Sequence, residues 1–307
     1  MGFLEVFEPI SVLFMILMAG FLARRLAVFD DAVVKGLASL LLKVTLPALI
    51  IDSLQRTYSP DLMRDSGNIL LMAIPIYLIS ALVALLCAAL PGIGRDNAGV
   101  VRFAVMFPNT GFMGYPVILS ILGPEALFLA VIYNLPFNLM AFTVGIMFIT
   151  MGRGDKRRFD YKVLLSPAVL SVIIGFLFFV SSVRLPGPLA ESLKLIGSVT
   201  TPLAMITVGA TLSGMKLNDV FGNWRVYFVS AMRLFVMPLL VFFVLNRLGL
   251  DPLLLSVLVV LNAMPVAING VLFAAEYDAN PAFAAQAVFV STMLSAFTIP
   301  LVAMLVR

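Results

Sequence analysis

Two long apolar stretches of the chain are interrupted by residues that break helices, and this pairing constrains the fold more than any other feature. The first interruption, 109–116, is Asn-Thr-Gly-Phe-Met-Gly-Tyr-Pro, and the second, 262–270, is Asn-Ala-Met-Pro-Val-Ala-Ile-Asn-Gly. In hydrocarbon every backbone N–H and C=O needs a partner, so a spanning helix is interrupted only where protein or a wet cavity covers the break. Paired interruptions at corresponding positions of two halves indicate the binding site of a secondary transporter.

The composition requires a bilayer as the solvent of this chain. Hydrophobic residues make up 62% and charged residues 12% of its 307 residues, whereas a soluble domain has about a quarter charged residues. The sequence contains no histidine and one cysteine, Cys87, which removes the commonest metal ligand and any disulfide framework. We therefore expect no catalytic residues, no metal, no cofactor and no nucleic-acid partner, and we expect the lipid bilayer as a partner.

Ten segments are apolar enough to predict membrane-spanning helices, each of which needs about 20 mostly apolar residues. The predicted fold class is therefore an all-α polytopic membrane protein. The ten predicted spans are 8–25, 32–54, 69–90, 99–122, 125–150, 163–182, 189–214, 222–247, 251–275 and 280–306.

Basic residues predict the orientation of these spans. The longest polar loop, 151–162, carries five basic residues, and the positive-inside rule places it in the cytoplasm. Counting outward from this loop, and leaving out Lys43 and Arg233 as intramembrane, 12 of the other 18 basic residues fall on the cytoplasmic side. Both termini are then predicted to face outward.

Three short matches at one offset indicate an internal repeat. Gly-Phe-Leu at 20–22, Val-Thr-Leu-Pro at 44–47 and Ala-Phe-Thr at 141–143 return, exactly or nearly so, 155 positions later. Each repeat then holds five spans, and an odd number inserts the second copy in the opposite orientation. The resulting division is a first repeat over 1–150, a cytoplasmic linker over 151–162 and an inverted second repeat over 163–307.

The interruptions themselves predict an anion site near the middle of the membrane. Asn109 lies roughly 15 Å deep in a core of about 30 Å. Pro116 and Pro265 suit the first turn of a new helix, whose N-terminus presents free N–H groups and partial positive charge to a carboxylate. The alternative is that these prolines only kink ordinary helices. The predicted substrate-binding residues are Asn109, Thr110, Gly111, Pro116, Asn262, Pro265 and Asn269.

Other polar residues within the spans are candidate charge or ion partners, because charges inside a membrane are costly and usually functional. Lys43, in the second span, is either a counter-charge for the substrate or a structural residue that snorkels to the interface or forms an ion pair. Asp52 is either an interfacial residue or a proton or cation site. Asn134 and Asn138 are candidates for lining or packing, and Arg233 is expected to brace a helix interface.

These motifs resemble those of the auxin efflux carrier family, which includes plant PIN auxin carriers and bacterial malate and malonate permeases. Residues 108–116 resemble the family's first crossover, with its Pro-Asn-Thr, Met-Gly and Pro elements. The segment from Pro265 through Phe-Ala-Ala-Glu-Tyr at 273–277 to Pro281 is similar to the second crossover. The resemblance covers essentially the whole chain.

The resemblance implies two inverted five-helix repeats with crossed, broken helices four and nine, an architecture shared with bile-acid symporters and sodium/proton antiporters. It implies a scaffold of helices 1, 2, 6 and 7 and a transport domain of helices 3–5 and 8–10 that moves as an elevator. It also implies a homodimer in a bacterial cytoplasmic (inner) membrane. The implied substrate is a small organic acid such as malate, malonate, another carboxylate or an auxin-like indole acid.

Other functions stay open from the sequence. A symporter or antiporter of the same architecture, coupled to sodium or protons, is the first alternative, because carbonyl groups freed at the breaks can hold sodium. The fifth span offers Asn134 and Asn138 but no aspartate, which disfavours ion exchange. An intramembrane protease of the His-Glu-x-x-His type is excluded by the lack of histidine. A channel or receptor is the remaining alternative, and saturable transport distinguishes a carrier from a channel.

Overall fold

A computed structural model describes residues 3–152, 165–215 and 222–306, so the predicted basic linker lies outside the described residues from 153 onward. Within these ranges helices are the only regular secondary structure, apart from one isolated bridge. The first five helical elements are α1 (Phe3–Arg25), α2 (Asp31–Leu54), α3 (Pro60–Ala89), α4 (Arg95–Met106) and α5 (Thr110–Thr150). The others are α6 (Pro167–Ser181), α7 (Gly187–Ser213), α8 (Trp224–Leu248), α9 (Pro252–Asn262), α10 (Asn269–Glu276) and α11 (Pro281–Leu305).

Seven helices in the described part of the chain are long and apolar enough to cross a membrane. They are α1, α2, α3, α5, α7, α8 and α11, while the apolar helices α6 and α9 are shorter. Large apolar side chains cover outward faces; α3, for example, exposes Leu71, Leu78 and Leu86. Such extended apolar surfaces are typical of contact with lipid. The prediction of an all-α polytopic membrane protein is confirmed at this level.

The third helix begins earlier than the sequence predicted. The predicted span started at 69, whereas α3 starts at Pro60, after the N-cap residue Ser59, whose side chain accepts a hydrogen bond from the Leu62 N–H. The first turns of α3 contain Asp61 and Arg64. These turns lengthen the helix without adding apolar length, so a hydropathy criterion does not detect them.

Three helices contain a widened, π-type turn that ends two residues before a proline. Proline lacks the N–H that would close the α-helical hydrogen bond, and its ring crowds the carbonyl group four residues earlier. The turn widens to relieve both effects, and such turns are frequent at functional sites. The three are Leu41–Thr45 before Pro47, Thr110–Gly114 before Pro116 and Met232–Val236 before Pro238.

Helix α5 is too long for one crossing and is divided at Gly123. Its 41 residues would extend about 60 Å as a straight helix, twice the thickness of a hydrocarbon core of about 30 Å. Gly123 has φ +83° and ψ −175°, a backbone conformation that almost only glycine adopts. Gly123 therefore divides α5 into two helical segments, and the second segment begins with Pro124.

Two pairs of helices from opposite halves of the chain pack closely, α1 on α7 and α2 on α6. A Cβ atom on Gly209 of α7 would lie 1.9 Å from the Leu17 carbonyl oxygen of α1, so only glycine permits this approach. In the second pair, a Cβ atom on Gly175 of α6 would lie 2.7 Å from the side chain of Leu54 in α2. Small residues at such contacts are the usual means of close helix packing in membranes.

Candidate functional site

The two helix breaks lie against each other in the interior of the protein. The backbone N–H of Asn109 donates to the carbonyl oxygen of Pro265 at 2.8 Å. The backbone N–H of Ala267 donates to the carbonyl oxygen of Phe107 at 3.0 Å. These hydrogen bonds form a short antiparallel bridge between the breaks. Each break therefore supplies partners for the unwound backbone of the other, which is the condition for a break inside a membrane.

Four helix ends meet at this bridge. α4 ends at Met106 and α9 ends at Asn262, while α5 begins at Thr110 and α10 begins at Asn269. The last carbonyl groups of a helix carry partial negative charge, and its first N–H groups carry partial positive charge. The breaks therefore bring two negative ends and two positive ends into one region.

The two break prolines have different roles. Pro116 lies in the first turn of the regular part of α5, although α5 itself begins six residues earlier, at Thr110. The matching prediction for Pro265 is wrong, because α10 begins only at Asn269. Pro265 lies in an extended segment, where its carbonyl oxygen accepts from Asn109 and the following N–H donates to the Ser291 hydroxyl of α11 at 3.1 Å. A helix starting at Pro265 would withdraw these groups from their partners.

Neutral hydrogen-bonding groups extend from the first break into α5. Asn109 is 3% exposed, and its side-chain nitrogen has no hydrogen-bond partner among the described residues. The buried hydroxyl of Thr110 donates to Oδ1 of Asn134 at 2.7 Å, and Asn138 donates to the backbone carbonyl of Asn134 at 2.9 Å. The structure thus brings these four predicted residues together. It leaves an unused buried donor on Asn109, which in a native protein needs an explanation.

The second break is tied to α5 and α3 through Asn262. Its side-chain nitrogen donates to the hydroxyl of Tyr133 at 3.3 Å and to the Leu258 carbonyl at 2.9 Å. The Tyr133 ring stacks on Tyr77 of α3, with centroids 6.1 Å apart and planes inclined by 12°. Neither tyrosine is among the site residues that the sequence predicted. The available signal was a tyrosine in mid-span, because its hydroxyl requires a partner when it is buried.

Arg233 of α8 binds both helix ends that carry negative charge. Its Nη1 donates to the Val105 carbonyl at 2.8 Å and, more weakly, to that of Met106 at 3.5 Å, while Nη2 donates to the Asn262 carbonyl. The side chain is 0% exposed, which is exceptional for a charged residue. The expected brace between helices is therefore more specific than the sequence indicated, because it joins the ends of α4 and α9.

The remaining predicted residues lie outside this buried cluster. Gly111 is partly exposed in the widened turn of α5, and beyond its neighbours no atom lies within 4 Å of the place of a Cβ. Asn269 is partly exposed at the first position of α10. Lys43 is exposed in the widened turn of α2, and Asp52 is partly exposed near the end of the same helix. Their binding roles stay predictions.

Residues 5–303 match the family model described as "Membrane transport protein". The chain belongs to this family. An uncharacterized transporter of Methanothermobacter thermautotrophicus is 28% identical over 295 residues, with 95% of each chain covered. The uncharacterized transporter YfdV of Escherichia coli is 21% identical over 303 residues, with 93% of each chain covered. Auxin efflux carrier component 1 of Arabidopsis thaliana is 28% identical over 138 residues, which is 44% of this chain and 22% of the plant protein.

The match to the membrane transport protein family extends across both helix breaks. The resemblance to auxin efflux carriers that the sequence motifs indicated is therefore confirmed. This member of the family is a multi-pass membrane transporter, and the family is one of transporters rather than enzymes.

Proposed function

We propose that this protein is a secondary transporter that carries a small organic acid anion across the cytoplasmic membrane by alternating access. The observation that best supports this function is the pairing of the two breaks beside the buried, unpaired amide nitrogen of Asn109. Interrupted helices that meet near the midplane hold the substrate in many secondary transporters. The proposed substrates are malate, malonate, other carboxylates and auxin-like indole acids, the last supported by the plant relative.

The distribution of charge at the breaks favours an anion over a cation. The helix starts at Thr110 and Asn269 carry about half a positive charge each. Arg233 binds the C-terminal ends at Val105 and Asn262, so the negative ends already have a counter-charge. A carboxylate would lie against these positive helix ends and accept a hydrogen bond from the side chain of Asn109, because the N–H groups of Thr110, Gly270 and Val271 already donate to backbone carbonyl oxygens.

The proposal includes ten membrane crossings in two inverted repeats, over 1–150 and 163–307, with crossed interrupted helices. Three observations support it besides the sequence matches at offset 155. The breaks at 107–109 and 263–268 fall close to that offset. The widened turn of α2 precedes Pro47, and the corresponding proline of α7, Pro202, follows an irregular junction at Val199. Gly20, which packs against Ile206 of α7, and Gly175, which packs against Leu54 of α2, also correspond at the same offset.

These contacts support a division of the molecule into a scaffold and a transport domain. The packing of α1 on α7 and α2 on α6 is what a scaffold of these four helices requires. The other helices contain the breaks and Arg233, and we assign them to a transport domain that moves as an elevator. The family resemblance supports a homodimer in the cytoplasmic membrane, and the charge rule supports termini that face outward.

A thermal-shift screen of the purified protein tests the anion site directly. Malate, malonate and an indole acid are added separately, with and without sodium and at two pH values. We expect at least one carboxylate to raise the melting temperature, since a ligand that binds only the native state stabilises it.

Asn109→Ala should abolish this shift, because it removes the unused buried donor. Asn97→Ala is the matched control, since Asn97 lies at the other end of α4, where its side chain accepts from Asn280 at 2.9 Å. A shift that survives in Asn109→Ala, or one that is lost equally in Asn97→Ala, would contradict the site. A protein that responds to cations alone would contradict the anion substrate.

A further inference from the structure

Arg233 is a buried cation whose hydrogen-bond acceptors are backbone carbonyl oxygens. Its guanidinium reaches Val105 and Met106 at the end of α4 and Asn262 at the end of α9. In the described ranges 3–152, 165–215 and 222–306 no carboxylate forms an ion pair with it. A charge inside a membrane protein needs a compensating partner, so the two helix ends must supply it.

The electrostatics of these helix ends match one positive charge. A helix C-terminus carries roughly half a negative charge, so the ends of α4 and α9 together present about one negative charge to the guanidinium. The planar fork of an arginine donates in several directions at once, which suits acceptors on two different helices. The widened turn Met232–Val236 contains Arg233 and separates it from the regular helix that follows.

Carbonyl oxygens at the ends of interrupted helices are also the groups that coordinate sodium in secondary transporters. A guanidinium and a sodium ion cannot bind the same lone pairs of these carbonyl oxygens at the same time. We propose that Arg233 is a tethered cation that takes the place of a coupling ion between the ends of α4 and α9, so that the breaks are assembled without sodium. This inference has a consequence for transport, which rests on the proposed function. Substrate movement is not coupled to sodium through these carbonyl groups.

Replacement of the side chain followed by chemical rescue tests the inference. The Arg233→Ala protein, purified without substrate, is melted in choline chloride, in sodium chloride and with low-millimolar guanidinium added to choline chloride. We expect a lower melting temperature than for the wild type in choline. Guanidinium should raise the melting temperature of the variant by roughly 2 °C, as a ligand near ten times its Kd would do for a chain of this length, and sodium should raise it less, because it lacks the planar donors of guanidinium.

Arg225→Ala is the matched control, because Arg225 is partly exposed and its guanidinium donates to the Gly92 carbonyl near the surface. Neither cation should stabilise this variant or the wild-type protein. A folded Arg233→Ala protein that neither cation stabilises would overturn the inference, and so would a wild-type protein that sodium stabilises relative to choline.

The test stays decisive when Arg233→Ala does not fold. Arg233→Lys keeps the positive charge, whereas Arg233→Met keeps a similar volume without it. The lysine variant should melt higher than the methionine variant, and equal or reversed melting temperatures would overturn the inference. All of these measurements are made without substrate, so a failure of the carboxylate screen leaves them interpretable, and a failure here leaves the anion site standing.

Discussion

Asn109 and Pro265, one from each helix break, share a backbone hydrogen bond of 2.8 Å. The bond joins two points that lie just over half the chain apart in sequence. It satisfies a donor and an acceptor that would otherwise be unpaired in the interior of a membrane protein, where each unpaired group costs several kcal/mol. The breaks are therefore stable as a pair, and changes in one should affect the other.

Pro265→Ala tests the extended conformation of the second break. Pro265 is buried, and alanine would add a backbone N–H to a segment whose neighbouring groups already have partners. We expect the free energy of unfolding to fall by about 1–3 kcal/mol, the cost of an unpaired buried donor. Pro60→Ala is the control, because Pro60 is exposed at the start of α3, where an N–H has no helical partner anyway. Equal melting temperatures for the two variants would contradict this account.

Thr110→Val tests the hydrogen bond between the first break and α5. Valine keeps the shape of threonine but removes the hydroxyl that donates to Asn134 at 2.7 Å. We expect a loss of about 1 kcal/mol of stability, because the buried Oδ1 of Asn134 loses this donor. Thr110→Ser retains the hydroxyl and should melt above the valine variant. The measurement is thermal unfolding in detergent, and a valine variant as stable as the serine variant would refute the prediction.

Gly209→Ala tests the contact between α1 and α7. The new Cβ would lie 1.9 Å from the Leu17 carbonyl oxygen, so the helices must separate. Overpacking of this kind typically costs about 1–3 kcal/mol. Gly36→Ala in α2 makes the same chemical change where no atom lies within 4 Å, and it should be neutral or slightly stabilising. Melting curves of the two variants decide between a tight contact and a loose one.

The orientation of the chain is tested with cysteines and a membrane-impermeant maleimide. The native Cys87 is 4% exposed, so its background labelling should be low. Val183→Cys, in the loop between α6 and α7, should react in intact cells. Asp96→Cys, at the start of α4, should react only after the membrane is permeabilised. Labelling with the opposite pattern would reverse the predicted orientation.

Local sequence predicted the breaks but not how they are joined. The break at Asn109 was located correctly, because prolines inside an apolar stretch act directly on their own helix. The helix start expected at Pro265 was wrong, because its surroundings are decided by pairing with the distant Asn109. No local pattern contains information on a partner so far away in sequence.

The role of Arg233 illustrates the same limit and also a signal that was available. A lone arginine in mid-span needs acceptors, and two interrupted helices provide freed carbonyl groups at their ends. Taken together, these facts point to the contacts with Val105 and Asn262 that the structure contains. The participation of Tyr133 could not be derived in this way, since it depends on how α5 packs against α9.

The bridge between the breaks also constrains how the protein is made. Residues 107–109 enter the membrane long before residues 263–268 have been synthesised, so during this interval the first break lacks the backbone partner that it has in the finished protein. Its polar groups must stay hydrated or be held by the insertion machinery until the second break arrives. We therefore expect the centre of the molecule to be the last part to form during biogenesis, and a chain truncated before residue 263 to be recognised by the cell as incompletely folded.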